Sequence, residues 1–226
     1  MRALPAGASP SEALLQLRAQ GTASAEGLRQ APELGLLAQL ARKATGSAPY
    51  TFQFALRRGV PELQVSSTLQ GLALALPAPL GKPADSAMPV RFENQLTRES
   101  LAPGAVAART APLQDSLVLE MGAVGSVSYV RDLAGASPRV LRGAIGLAPQ
   151  ESAPMPERGV VANVRLGDFD VDLWQSLLTG TPTQGTAAPV SSALPDYLPT
   201  VLAARARALT VQGRTLHDVL VGGSRD

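Results

Sequence analysis

A chain of 226 residues has room for one large domain or two small ones. Hydrophobic residues make up 45% of it but aromatics only 4%, so its apolar surfaces must be built from Leu, Val and Ala. The 20 basic and 18 acidic residues leave a formal charge of +2. The arginines are scattered except for Arg57, Arg58 and Arg205, Arg207, with no aromatics interleaved, which argues against nucleic acid as a partner. The absence of cysteine removes disulfides, thiolate zinc sites and a Cys nucleophile. Neither Met1 to Pro10 nor the apolar stretch Leu69 to Gly81 suits a signal peptide or a membrane span. The chain therefore reads as soluble, with any targeting element or anchor lying outside it.

In chain order, Ser9, Pro10, Ser11 and Glu12 form a capping-box signature ahead of Leu14, Leu15 and Leu17, which predicts a helix, although Leu15, Leu17 and Ala19 also alternate like a strand. A second helix is expected over Pro32 to Ala44, with Leu34, Leu37 and Leu40 at helical spacing and Gly46 beyond its end. From Tyr50 the period changes to two. Tyr50, Phe52, Phe54 and Leu56, then Leu63, Val65 and Leu69, alternate with polar neighbours around a turn at Gly59, as half-buried antiparallel strands do. Leu72, Leu74 and Leu76 read as a continuation of that apolar face, ended by Pro77 and Pro79. Further strands are expected near Val90 to Leu96, Leu117 to Met121, Val124 to Arg131, Arg139 to Leu147 and Val160 to Leu166. Asp170 opens a short amphipathic helix, Val171 to Leu178. A flexible loop over Thr181 to Ser192 then leads to a hairpin of Val201 to Val211 and Leu216 to Val221 around Gly213.

Reactive chemistry is scarce. His217 sits on an alternating strand with Asp218 pointing the other way, and no G-x-S-x-G elbow exists to supply a serine. Gly81 and Lys82 lack the rest of a phosphate loop, since Pro83 stands at the Ser/Thr position and Leu76 at the first glycine. Asp168, Asp170 and Asp172 space like the start of a calcium loop but lack its glycine and distal Glu, so they read as helix-capping, solvent-facing acids. Gly122, Gly125, Gly143 and Gly146 suit bulges or tight packing in a curved sheet. No catalytic residue, metal site or cofactor is expected. Apolar alternation remains, and it suits a dry sandwich core or a groove for acyl chains equally well.

The block from Leu63, LQVSSTLQGLALALPAPLGKPADSAMPVRFE, resembles the signature of the YhdP-type branch of the AsmA-like proteins. There a strand with an S-S/D-L-x-G-L core leads into L-P-x-P-L-x-K and a further strand. Gln20, Gly21, Ser24, Leu28, Gly46 and Tyr50 upstream are similar to that pattern. So are RGVVANVRLGDFDVDLWQSLL and LTVQGRTLHDVLVGGSRD downstream. The resemblance implies a segment of a long periplasmic protein, anchored in the inner membrane of a Gram-negative bacterium by a helix absent from this chain. It also implies an open, apolar-lined β-groove that carries phospholipid toward the outer membrane, and a strand over Leu14 to Ala19 where local signals favour a helix.

The expected architecture is mainly β, an antiparallel, curved, repeating β-groove segment with a few short helices. It would comprise a helical or mixed lead-in over 1–48, groove strands over 49–166, a short helix over 167–180, a loop over 181–192 and closing strands over 193–226. The candidate lipid-lining residues are Leu63, Val65, Leu69, Leu72, Leu74, Leu117, Leu119, Val127, Tyr129, Leu141, Ile145 and Leu147. Expected partners are phospholipid acyl chains and adjacent β segments of the full-length protein, with membrane contact through the parts missing here. The rival reading is a non-enzymatic scaffold whose edge strands pair with neighbouring envelope-protein segments.

Overall fold

The structure, a computed structural model, describes residues 15–102, 113–148, 153–179 and 194–225. The capping-box residues Ser9 to Glu12 and the loop over 181–192 lie outside the described residues. The rest is mainly β: 57% strand in one open, curved, mixed sheet of 11 strands. The strands are β1 (Leu15–Ser24), β2 (Ala44–Arg57), β3 (Val60–Ser67), β4 (Leu72–Leu74), β5 (Val90–Leu96), β6 (Gln114–Met121), β7 (Gly125–Asp132), β8 (Arg139–Leu147), β9 (Gly159–Asp170), β10 (Val201–Val211) and β11 (Arg214–Ser224). They lie side by side in chain order, except that short β4 pairs with the start of β2 off the main path. Every pairing from β1 to β8 is antiparallel, whereas β8–β9 and β9–β10 are parallel. The expectation of antiparallel strands throughout is corrected at those two junctions. Each is bridged by a long connection that returns the chain to the same end of the sheet before the next strand starts, as parallel pairing requires.

Two hairpins turn on residue pairs whose backbones both have positive φ, Arg58–Gly59 between β2 and β3 and Gln212–Gly213 between β10 and β11. That is the type I′ geometry matching the twist of the flanking strands. Thr97 caps α3 (Arg98–Leu101), its hydroxyl accepting from Ser100 N–H at 3.3 Å. The buried Ser100 hydroxyl in turn bonds the Gln114 backbone that opens β6.

Of the residues expected in the first helix, Leu15 and Leu17 lie in strand β1 instead, in agreement with the strand that the resemblance implies there. The ten residues of β1 pair one for one with β2 from Leu15↔Leu56 to Ser24↔Ser47, and this ladder outweighs local helix propensity. The expected helix over Pro32 to Ala44 is broken into a 3-10 turn (Pro32–Leu34), a short α2 (Leu36–Leu40) and a second 3-10 turn (Ala41–Lys43). Gly35, at φ +54, separates the first two. Ahead of them stands α1 (Ala25–Arg29), capped by the Ser24 hydroxyl accepting from Gly27 N–H at 3.0 Å. Strand β2 starts at Ala44, ahead of the expected boundary at residue 49.

Beside β4 lies a small core of Ala25, Ala44, Ala48 and Leu72, with Leu69 and Leu74 packed on it. There the chain crosses itself at two glycines. A Cβ on Gly46, at φ +89, would lie 2.2 Å from the Gly71 carbonyl oxygen, and one on Gly71, at φ +96, 2.3 Å from that of Ser47. Gly46→Ala adds left-handed strain of about 1–2 kcal/mol to a backbone clash. It is expected to lower the urea midpoint by the equivalent of at least about 2 kcal/mol, whereas Gly223→Ala, which meets nothing within 4 Å, leaves the midpoint nearly unchanged.

Candidate functional site

Paired residues on neighbouring strands share a face of the sheet, so the register fixes what each face presents. One row across the sheet reads Ala19, Phe52, Val65, Phe92, Leu119, Val127, Ile145, Ala162 and Leu202. The row beside it, two residues along each strand, reads Leu17, Phe54, Leu63, Asn94, Leu117, Tyr129, Gly143 and Val160. On the opposite face, Gln20, Thr51, Ser66, Arg91, Glu120, Ser126, Gly146 and Asn163 share a row. One face is thus apolar over nearly the whole sheet; the other is polar from β1 to β5 and mixed beyond, where Val118, Ser128, Ala144, Val161 and Val201 share a row. No second sheet covers the aliphatic face among the described residues. Phe52, Val65, Phe92, Leu119, Val127 and Ile145 accordingly remain partly exposed.

Of the expected lining residues, Leu63, Val65, Leu117, Leu119, Val127, Tyr129, Ile145 and Leu147 come together on this face. Leu141 sits at the irregularity in the β7–β8 ladder, where pairing jumps from Val130↔Arg142 to Arg131↔Val140. Leu69, Leu72 and Leu74 belong to the small core beside β4. Phe52, Phe54 and Phe92 join the face and carry the same alternation in sequence.

The aliphatic face ends in a polar cluster. Asp115 and Arg131, paired across β6 and β7, stand on the apolar side of their strands. Arg131 donates from Nε to Asp115 Oδ1 at 2.9 Å and from Nη2 to Oδ2 at 2.5 Å. It also reaches Asn94 Oδ1 at 3.4 Å and the Tyr197 hydroxyl at 3.2 Å. The hydrogen bonds that Asp115 accepts from it raise the Arg131 pKa above its ordinary value against the effect of burial. Tyr197, in α5 (Leu194–Tyr197), meets the Tyr129 ring edge-on at 5.0 Å, and its carbonyl accepts the Tyr129 hydroxyl at 3.0 Å. Burial pushes the Tyr129 hydroxyl pKa up, with Tyr197 adding to the effect. This cluster pins the connection before β10 over one end of the apolar face.

At the other end of the strands, three segments that carry the sequence resemblance converge. Trp174, in α4 (Val171–Thr179), donates its indole N–H to the Ala78 carbonyl at 2.9 Å, joining FDVDLW to LPAPLGK. Asp172 accepts from Gln212 N–H and Gly213 N–H, both at 2.8 Å, and so holds the turn of QGRTLHDV. Asp170 accepts from Leu173 N–H at 2.9 Å and caps α4. Asp168 pairs with Arg207 at 2.7 Å, and that hydrogen bond holds its carboxyl below the usual carboxylate range. The three aspartates are therefore spent on separate structural tasks. His217 lies exposed on the edge strand β11.

A hollow of about 1090 Å³ opens at this same end of the strands, against Gln20, Thr51, Ser66, Arg91, Glu120 and Ser126 of the polar face, with Tyr50 and Val90 beside them. No group of three or more His, Cys, Asp or Glu side chains is placed to hold a metal among the described residues. No helix among them is long and apolar enough to cross a membrane. In comparisons with known proteins, the family model described as YhdP protein matches residues 4–226. No curated protein and no solved structure matches the chain.

Truncating one partner of the Arg131–Asp115 pair strands the other's charge at a site only 2% exposed on the Asp115 side. Asp115→Ala should cost about 3–5 kcal/mol in urea unfolding. Asp172→Ala, which frees two backbone amides on the surface, should instead leave global stability within about 1 kcal/mol, while speeding hydrogen exchange at Gln212 and Gly213.

Proposed function

This chain belongs to the YhdP family, and from that premise we propose that it is a non-catalytic segment of a periplasmic envelope protein. Its aliphatic sheet face binds phospholipid acyl chains and passes them along a groove between the inner and outer membranes. The observation that carries this reading is the row from Ala19 to Leu202, an apolar stripe kept in register across the sheet with no second sheet on it among the described residues, and with Phe52, Val65, Phe92, Leu119, Val127 and Ile145 partly exposed. Uncovered apolar surface of this extent marks an interaction site. Each acyl methylene removed from water contributes about 0.8 kcal/mol, so a smooth wall of Leu, Val, Ile and Ala holds a chain without an ionic anchor. Dispersed contacts also let the chain slide, where a deep pocket would trap it. Leu63, Val65, Leu117, Leu119, Val127, Tyr129, Ile145 and Leu147 line this path. Leu69, Leu72 and Leu74 support the connection at its end.

A second reading, a β-scaffold module, draws on the outer strand β11, which is exposed along almost its whole length from Arg214 to Ser224. Such an edge suits strand addition by a neighbouring segment. The two readings differ over the aliphatic face.

Purified chain examined by native mass spectrometry is expected to carry phospholipid. Val65→Asp and Leu119→Asp place an unpaired carboxylate on the apolar stripe, at a cost of about 1–3 kcal/mol or more to any chain lying over it, and should lose that lipid while retaining the wild-type circular dichroism spectrum. Gln64→Asp and Ser66→Asp, on the opposite face of the same sheet, should keep it. Lipid retained by all four folded variants would remove the groove reading and leave the scaffold.

A further inference from the structure

The apolar face does not keep its width along the sheet. The row that runs from Leu17 to Val160 is open at its start, where Leu17 is 48% exposed and Phe54 and Leu63 are partly exposed. At its other end it is closed, with Tyr129 7% and Val160 1% exposed. The Tyr129 ring fills the space above Gly143, where a Cβ would stand 2.4 Å from its Cδ1. Tyr197 meets that ring edge-on, accepts from Arg131 at its hydroxyl and from Tyr129 at its carbonyl, and belongs to α5, which packs against β8. Three residues on, Thr200 N–H donates to the Val160 carbonyl at 2.8 Å, and Val160 N–H donates to the Thr200 hydroxyl at 3.0 Å. The chain from Tyr197 to Thr200 therefore spans β8 from β7 to β9 and is fixed on both sides. In the neighbouring row, Leu119, Val127 and Ile145 stay partly exposed.

We propose that Tyr129 and Tyr197 form a constriction in the lipid path, a side wall that bars acyl chains from the Leu17 row between β7 and β9 and confines them to the row of Leu119, Val127 and Ile145. The proposal rests on the groove reading above and adds to it the residues that set the lane. Rows on one face stand two residues apart, about 6.6–6.8 Å along a strand, so closing one row narrows the path by that width. A tyrosine pair suits such a wall because each ring presents apolar surface while its hydroxyl is satisfied elsewhere. Both hydroxyls here are bonded within the cluster, and Asp115 holds Arg131 in place behind them. An acyl chain reaches Val160 only by displacing Tyr197, which would leave the Tyr129 hydroxyl unpaired in apolar surroundings, a costly state. Tyr129 thus lines the path from its side.

The test follows the methyl NMR signals of the purified chain as a short-chain phosphatidylcholine is added below its micelle concentration, carrying a nitroxide at the end of one tail. In the wild type the nitroxide should broaden Val65, Val127 and Ile145, together with Leu63 in the open part of the Leu17 row, and spare Val160. Tyr197→Ala removes the wall and should raise the relaxation of Val160 severalfold. Tyr197→Phe keeps the ring, loses only the hydroxyl contact with Arg131, and should leave Val160 spared. If Tyr197→Ala does not fold by circular dichroism, Tyr129→Leu opens the wall from the sheet side and should expose Val160 in the same way. A free nitroxide without tails distinguishes a new lane from simple fraying and should not broaden Val160 in any variant. The constriction is overturned, and the groove reading left standing, by Val160 broadened in the wild type as strongly as Ile145, or spared in the folded truncation. Equal broadening in Tyr197→Phe and Tyr197→Ala, or by the free nitroxide, would also overturn it. No broadening of any of these methyls by the lipid would remove the groove reading itself.

Discussion

Everything in this structure depends on the pairing register of a single sheet. Side chains alternate with a period of two, so a one-residue slip in any ladder would send that strand's Leu, Val and Phe to the polar side. The ladders hold alternation from Ala19 on β1 to Leu202 on β10, through antiparallel and parallel junctions alike. The irregularity at Val130 and Arg131 sits where Arg131 meets Asp115. It shifts the far end of β8 and leaves the aliphatic rows from Tyr129 onward in step. In a two-layer fold those rows would meet a partner sheet. Here Tyr129, Val160 and Ala162 are buried while Phe52, Val65, Phe92, Leu119, Val127 and Ile145 stay partly exposed, and much of the energy a packed core would supply comes from the ladders and from small clusters at the strand ends.

Those clusters give the sheet its boundaries. At one end, the Arg131–Asp115 pair and the two tyrosines fix the segment ahead of β10. At the other, the indole of Trp174 reaches a carbonyl 96 residues away in sequence, tying the connection after β3 to the helix after β9. Four strands, β5 to β8, separate those attachment points, so the link demands a curved sheet or a connection that reaches across its end. The Asp172 carboxylate adds the last hairpin to the same assembly. Residues that carry the family pattern thus hold the frame, and the residues proposed to touch lipid are ordinary aliphatics spread along the strands.

That division explains what the sequence reveals. Val90 to Leu96, Arg139 to Leu147 and Val201 to Val211 are legible to the residue because each is a clean alternating run between Gly, Pro or Ser. The proline-rich block after Leu76 is likewise non-strand, as prolines without a donor require. β1 misleads because Ser, Pro and Glu ahead of three leucines mimic a helix start, and only the ten-residue ladder with β2 decides the matter. Leu72 and Leu74 look like more of the apolar face because periodicity does not say which strand a short run will join. The parallel junctions are hidden for the same reason. Asp115 and Arg131 carried a usable signal. Each interrupts an apolar alternation, at Leu117 and Leu119 on one strand and Val127 and Tyr129 on the other, and opposite charges on a shared face point to a pair. The convergence of Ala78, Trp174 and Gly213 had no sequence counterpart, since nothing local encodes contact at that separation.

The claim that lipid travels on the aliphatic face is tested most directly by photocrosslinking in living cells. A benzophenone side chain would be placed in the protein at Leu119 or Ile145 on one face, and at Glu120 or Ser128 on the other. Lipid adducts identified by mass spectrometry at Leu119 and Ile145, with none at Glu120 and Ser128, are the predicted result. Adducts confined to Glu120 and Ser128, the face whose Glu120 lines the hollow of about 1090 Å³, or protein-only crosslinks at Leu119 and Ile145, would contradict it.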